Sequence, residues 1–447
     1  MLNIGPDGQK PDAEIFHVTY TLKGANPATR PVTFLFNGGP GAASIYLHVA
    51  AIGPKTIVSA GDGSFPATPA RLQENPESWI RFTDLVFIDP VGTGFSRMLP
   101  GPDGKPVSSK GYESVAGDVD SLARFIRAWL TANNRWGSPK ALAGESYGGL
   151  RVAALSRALA EQYAVNLNRV ILISPSLYVD LAERHYGLVG PMTLLPTQAA
   201  IAAHHGLNGM GKDLSALKSV EDFAMGDYLT GLARLGRSTS EEQAAFHRKV
   251  GALTGLSPEL VARYNGRVGT SPFAASLLAG RGQVIDRYDG AQVSDNPTPD
   301  QAELGVFDRS LTVLSGVLLA PFMDYLRTDL RYVTDRPYVP LDVELNARWD
   351  RNSTLGGPDD LAIALSQNHD LKALVVHGIH DLATPYFLSR YVLEQATRGT
   401  NARERLWFGT YAGGHMFYLR TASRTEFTTD VEAFFRDAPM PPRATRP

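Results

Sequence analysis

Polar and apolar positions alternate over residues 15–22, with Phe16, Val18, Tyr20 and Leu22 on one face. A period of two predicts a strand, antiparallel and half exposed. Short, largely apolar runs follow at 32–36, 85–89, 140–143, 170–173 and 371–376, with another strand at 405–411. Such runs mark strands covered on both faces. Between them the period changes to that of a helix. Over 112–133, Val115, Val119, Leu122, Ile126, Trp129 and Leu130 recur at helical spacing. Residues 150–162 repeat this on two faces, Leu150, Ala153, Ala154 and Ala158 against Val152, Leu155 and Leu159, and 425–435 predict a closing helix. Strands alternating with helices predict an α/β fold, a mostly parallel sheet with helices on both faces.

The alternation breaks after about residue 180. Residues 181–345 show amphipathic helical segments and many turns but no convincing buried strand. The chain therefore reads as a core of 1–180 and 346–447, interrupted by a helical cap insertion at 181–345. Residues 61–76 are rich in Gly and Pro and read as loop, and the proline-rich tail 439–447 reads as loose. There is no internal repeat.

Composition narrows the class. The chain has 447 residues, 43% hydrophobic and 20% charged, which suits a soluble globular protein with a large core. Net charge is −2 with no basic stripe, which argues against a nucleic-acid partner. Cysteine is absent, which removes disulfides, thiolate metal sites and thiol nucleophiles together. No stretch approaches the roughly 18 uninterrupted apolar residues of a membrane span. The nearest, 311–326, is broken by Thr312, Ser315, Gly316, Pro321 and Asp324 and reads as a buried helix. The first residues carry neither a basic nor an apolar leader region, so the chain is expected to be cytoplasmic or to lack its natural beginning.

Chemistry enters at Gly144-Glu145-Ser146-Tyr147-Gly148-Gly149. This G-x-S-x-G stands between a strand and a helix, the setting of a nucleophile elbow. The elbow exposes a serine hydroxyl in front of a helix N-terminus. Acyl transfer on such a sheet needs an acid and then a histidine later in the chain. Asp381 follows the strand 371–376, and His415 follows the strand near Tyr411. His415 would take the proton of Ser146, and Asp381 would hold the imidazole. The backbone N–H groups of Tyr147 and of the Gly-rich loop Gly38-Gly39-Pro40-Gly41 would form an oxyanion hole, with Gly39 as the second donor. No metal or organic cofactor is needed for this chemistry. His377 and His380, and the adjacent His204-His205, lack a third ligand for a metal site. Gly92-Thr93-Gly94 lacks the rest of a dinucleotide fingerprint. Asn352-Ser353-Thr354 is a formal glycosylation triplet without assigned function.

Four blocks, taken in order, resemble the serine carboxypeptidases. They are Asn37-Gly38-Gly39-Pro40-Gly41 with Gly53-Pro54, Pro76-Glu77-Ser78-Trp79 through Gly92-Thr93-Gly94-Phe95-Ser96, the elbow block, and Asp381 with Gly414-His415-Met416. The resemblance covers about residues 30–200 and 365–425. It implies an α/β-hydrolase fold and an exopeptidase whose substrate carboxylate is bound by Asn37, Gly38 and Glu145. Glu145 has a second reading, as an acid stabilising a helix N-terminus. A glutamic acid donates to a carboxylate only when one of the two is protonated, so the resemblance predicts peptide cleavage favoured at acidic pH.

Three departures stand out. Ala51 occupies the position where the family usually has a second glutamate, and His48, Lys55 and Arg151 are candidates to replace it. The second block is one residue tighter, with Asp89 directly before Pro90. Ile173-Ser174-Pro175-Ser176 and Phe417-Tyr418-Leu419 replace a Gly-Asn-Gly turn and a Val-Pro pair. The expected activity is a serine-type carboxypeptidase acting on peptides with a free C-terminus. An esterase or acyltransferase on the same scaffold, and a peptide-binding module with an idle triad, are the alternatives. The resemblance also suggests export, although the chain carries no signal.

Overall fold

The structure, a computed structural model, describes residues 1–5, 10–101, 103–105, 107–177, 186–211, 215–298, 308–353 and 355–439. Parts of the expected insertion (181–185, 212–214 and 299–307), Thr354 of the glycosylation triplet and the tail from 440 lie outside the described residues.

Seven strands form the central sheet: β1 (His17–Tyr20), β2 (Val32–Phe36), β3 (Asp84–Ile88), β4 (Lys140–Glu145), β5 (Arg169–Ile173), β6 (Lys372–Gly378) and β7 (Leu406–Tyr411). Their order is β7-β6-β5-β4-β2-β3-β1. All neighbours are parallel except β1, which pairs antiparallel with β3. The half-exposed pattern read at 15–22 is that edge strand, all four of its residues being partly buried.

Side chains of the inner strands alternate between two cores, as the pleat requires. Phe34, Phe36, Leu142, Val170, Leu172 and Val375 face helices α1 (Val115–Ala132) and α2 (Tyr147–Tyr163). Leu35, Ala143, Ile171, Ile173, Leu374 and Val376 face the other way, toward Phe427, Val431 and Phe434 of the closing helix Thr421–Phe435. Burying each large apolar side chain contributes about 1.5–3 kcal/mol, which fixes the register of the sheet. Ser114 caps α1 by accepting from the Gly117 N–H, 3.1 Å away.

The strand order reverses between β2 and β4. That crevice, at the carboxyl ends of the strands, is where open α/β sheets hold ligands. Phe36 pairs with Gly144, so the loop after β2 and the elbow after β4 leave the sheet side by side.

Between β5 and β6, the helix Val189–His204 nucleates a separate apolar cluster with the helices after it. This cluster reaches the sheet through Ile379, Leu382, Tyr386 and Phe387. The expectation of no convincing buried strand here meets one short ribbon, partly buried. Gln283–Ile285 and Val293–Asp295 form an antiparallel ribbon. Three residues per strand are too few for a period of two to register. The stretch read as a buried helix is Arg309–Thr328, and Leu314, Leu318, Phe322 and Tyr325 pack it into the second sheet core. No helix among the described residues is long and apolar enough to cross a membrane.

Candidate active site

Ser146 sits between β4 and α2 with φ 60° and ψ −124°, a conformation that a residue with a side chain adopts only under strain. Its neighbours show why the turn is so tight. A Cβ on Gly144 would lie 2.1 Å from the Gly148 carbonyl oxygen, and one on Gly38 would lie 2.6 Å from the Tyr147 nitrogen. The loop after β2 is thus pressed onto the elbow. Ser146 lines a cavity of about 220 Å³ together with Asn37, Gly38, Gly39, Glu145 and His415. Its walls are Tyr46, Leu311, Leu341, Val343 and Met416, with Tyr288 and Asn346.

His415 lies across that cavity, and behind it the fully buried Asp381 holds its Nδ1 at 2.7 Å from Oδ2. The Ala383 and Thr384 N–H groups donate to Asp381 Oδ1 at 2.9 and 3.0 Å. Thr384 Oγ1 donates to Oδ2 at 2.6 Å. These donors satisfy the carboxylate while its remaining capacity orients the imidazole, leaving Nε2 for the cavity. Burial pulls the His415 pKa down, but the Asp381 charge and hydrogen bond, with a further push from Glu145, leave it above the ordinary value. Ser146 Oγ and His415 share the cavity, and among the described residues no hydrogen bond joins them. Such contacts commonly tighten only around substrate.

Of the two expected oxyanion donors, Gly39 lines the cavity and Tyr147 opens α2 directly behind Ser146. The Tyr147 side chain turns away, its ring under the Arg151 guanidinium and its hydroxyl 3.2 Å from Trp349 Nε1.

Glu145 is fully buried at the cavity floor. Asn37 Nδ2 donates to its Oε2 and Tyr418 Oη donates to its Oε1 at 2.7 Å. Burial raises its pKa to about 7, against His415, Tyr418 and Asn37, which favour the ionised form.

None of the three residues suggested in place of a glutamate at Ala51 lines the cavity. His48 stacks on Phe87, its centroid 4.1 Å away, and its Nε2 lies 2.7 Å from Tyr20 Oη. Burial lowers its pKa to about 3, so it stays neutral. Lys55 pairs with Asp329 at 2.5 Å. Arg151, fully buried, pairs with Asp118 at 2.7 Å and donates through Nη1 to the Asn37 and Gly38 carbonyl oxygens. It therefore supports the glycine loop from beneath. Asp89 accepts from Ser44 N and Oγ at 2.8 and 2.7 Å, and burial raises its pKa to about 6.

Sequence reasoning did not single out Thr384, Tyr288 or Tyr418. Tyr418 lay within a noted departure, and Thr384 stands three residues after Asp381, where a hydroxyl can bond back to an Asp. Tyr288 carried no signal, since its contact with His415 spans the insertion. His377 Nδ1 lies 3.0 Å from the Thr384 carbonyl oxygen, and among the described residues no three acidic or histidine groups gather for a metal.

The family model described as "Serine carboxypeptidase" matches residues 6–183. Among curated proteins, the chain is 29% identical to "Serine carboxypeptidase-like 36" of Arabidopsis thaliana over 38% of this chain and 32% of that one. It is 26% identical to "Serine carboxypeptidase S10 family member 1" of Dictyostelium discoideum over 47% of this chain and 44% of that one. The alignments thus span a third to under a half of these relatives' lengths. Among solved structures, Kex1(delta)p, a prohormone-processing carboxypeptidase from Saccharomyces cerevisiae, superposes with a TM-score of 0.57 at 16% identity, covering 97% of this chain and 89% of that one. This likeness establishes the α/β-hydrolase fold.

Proposed function

We propose that this chain, a member of the serine carboxypeptidase family by its match over residues 6–183, hydrolyses the C-terminal peptide bond of peptides. The observation that carries the reading is Glu145. A buried carboxyl, held by Asn37 one residue from Ser146, forms the floor of the cavity that His415 faces. A general esterase has no use for such a group. An exopeptidase needs a donor that meets the terminal carboxylate and nothing longer.

In this reading Ser146 Oγ attacks the last peptide carbonyl while His415 Nε2 takes its proton. The N–H groups of Gly39 and Tyr147 meet the oxyanion. Collapse breaks the C–N bond, and His415 returns the proton to the departing amino group. Water then gives His415 a proton, attacks the acyl-enzyme and releases the shortened peptide with Ser146 restored. Asp381 keeps its hydrogen bond to His415 Nδ1 and stabilises the imidazolium. Asn37, Gly38 and protonated Glu145 hold the terminal carboxylate. The supporting geometry is the 2.7 Å His415–Asp381 contact and the strained backbone at Ser146.

The test compares a peptide bearing a free C-terminus with the same peptide amidated, with Ser146→Ala as the control. Cleavage of the free acid alone, lost in the Ser146→Ala variant, is the expected result. Equal cleavage of both peptides overturns the exopeptidase assignment. The division into a core of 1–180 and 346–447 with an insertion at 181–345 belongs to the same proposal. The separate apolar cluster built on Val189–His204 supports it.

A further inference from the structure

Resting on that reading, we propose that Tyr418 is a positioning residue whose phenol, in place of a second carboxyl at position 51, holds Glu145 in register to receive the substrate's terminal carboxylate.

Three observations carry this. First, position 51 cannot take part. Ala51 is buried within the helical turn His48–Ile52, and its carbonyl oxygen accepts from Asn75 Nδ2 at 2.9 Å. Second, the orientation of the Asn37 amide is fixed, because its Oδ1 accepts from the Leu47 N–H at 3.1 Å. Its Nδ2 must therefore face Glu145, where it donates to Oε2. Without a second donor the other oxygen, Oε1, would be a buried acceptor with no protein partner, which is costly. Third, Tyr418 Oη meets that oxygen at 2.7 Å, and the phenol is itself fully buried.

A phenol differs from a carboxyl in a way that matters here. Two carboxyls in one site share a proton and each opposes ionisation of the other. A phenol brings no charge. It donates to Glu145 in both protonation states, so the acid proton of Glu145 is left to the substrate rather than being shared sideways. The titratable groups that face Glu145 are His415 and Asp381, which act by charge, and the phenols of Tyr418 and Tyr46. Of these, Tyr418 donates to its carboxyl directly. Phe417, stacked on Tyr411 at 4.7 Å, anchors the turn that presents Tyr418.

The experiment measures the ratio of kcat/KM for a free-acid peptide over that for an ester lacking any carboxylate, from pH 4.5 to 8.5, in the native enzyme and in Tyr418→Phe. Phenylalanine keeps the ring and removes only the donor. The ratio is expected to fall about 10-fold, chiefly through KM, as for one lost hydrogen bond to an ionisable group. The alkaline limb of the peptide profile should move to higher pH, because a donor that favours the carboxylate is gone. Tyr418→Gln, which restores a donor, should recover part of the ratio. In a Glu145→Gln background the Tyr418→Phe change should no longer move the limb.

An unchanged ratio and limb in Tyr418→Phe overturns the proposal, as does an equal effect in the Glu145→Gln background. If Tyr418→Phe does not fold, Tyr418→Gln decides, a ratio and limb displaced as far as for a donor-free side chain counting against it. A native enzyme with no preference for the free acid would instead overturn the carboxypeptidase reading itself, which separates the two failures.

Discussion

Glu145 is asked for two opposite things by its surroundings. Burial raises its pKa to about 7, while the donors Asn37 and Tyr418 favour the anion. In the proposed mechanism His415 must be neutral to accept the Ser146 proton, and the Glu145 charge is one cause holding its pKa up. Protonating Glu145 removes that cause, so the two groups titrate as a pair and the neutral pair is the competent one. Peptide kcat/KM should therefore fall as pH rises through about 7, whereas turnover of a carboxylate-free ester should reach a plateau. A peptide profile that climbs steadily from about pH 4.5 to 8 defeats this account. The same shift links to stability. The folded pKa of Glu145 lies above its unfolded value of 4.5, so its contribution is complete below that value and lost as pH rises through about 7. Glu145→Gln cannot ionise. Relative to the native protein it should gain about 2–3 kcal/mol between pH 4.5 and 8, read from denaturant midpoints. A constant difference across that range would show that the fold does not raise the pKa of Glu145.

The loop after β2 keeps its shape because α1 and α2 are cross-linked beneath it. Arg151 on α2 reaches Asp118 on α1 and the carbonyl oxygens of Asn37 and Gly38, and both side chains are buried. Burial raises the pKa of Asp118, opposed mainly by the Arg151 charge. Arg151→Met should cost about 3–5 kcal/mol, because it strands that carboxylate in the core. Asp118→Leu added to Arg151→Met should recover much of the stability yet not the activity, since nothing then supports the loop. Recovery of both would mean that Arg151 serves stability alone. The strands, the two helices and the serine elbow were legible because each is a local pattern of apolar spacing and glycine. Arg151 was visible only as a cation near the motif. Its partners lie 33 and 114 residues away, and spacing reports which face a residue occupies, not what that face meets. Tyr418 was hidden for the same reason, 273 residues from Glu145. The glycine loop, Ser146, Asp381 and His415 could be read as one set because motif order stands in for the missing distances, whereas the supports of that loop have no motif.

The chain between β5 and β6 helps hold the loops of Asp381 and His415 as well as wall the cavity that His415 lines. Tyr288 sets its ring perpendicular to His415 at 5.2 Å, and its carbonyl oxygen accepts from the His415 N–H at 2.5 Å. Gly414 must be glycine because a Cβ there would lie 2.0 Å from that same oxygen. The Arg287 carbonyl accepts from Leu382, and the Gly290 N–H donates to His380, each at 3.0 Å, so residues 287–290 grip the loops of both Asp381 and His415. The turn itself is knotted by the buried Asp286, whose Oδ1 accepts from Tyr288 and Asp289 N–H and whose Oδ2 accepts from Ser310 at the start of the helix Arg309–Thr328. Asp286→Ala releases all three. Misplacing a catalytic group by about 1 Å can cost on the order of 100-fold, so kcat should fall about 10- to 100-fold on the free-acid peptide and on the carboxylate-free ester alike. That equal loss separates this variant from Tyr418→Phe, whose effect is specific to the carboxylate-bearing substrate. Should Asp286→Ala turn over the ester at the native rate, the His415 loop holds its position without the turn at 286–290, and the segment between β5 and β6 is only a wall.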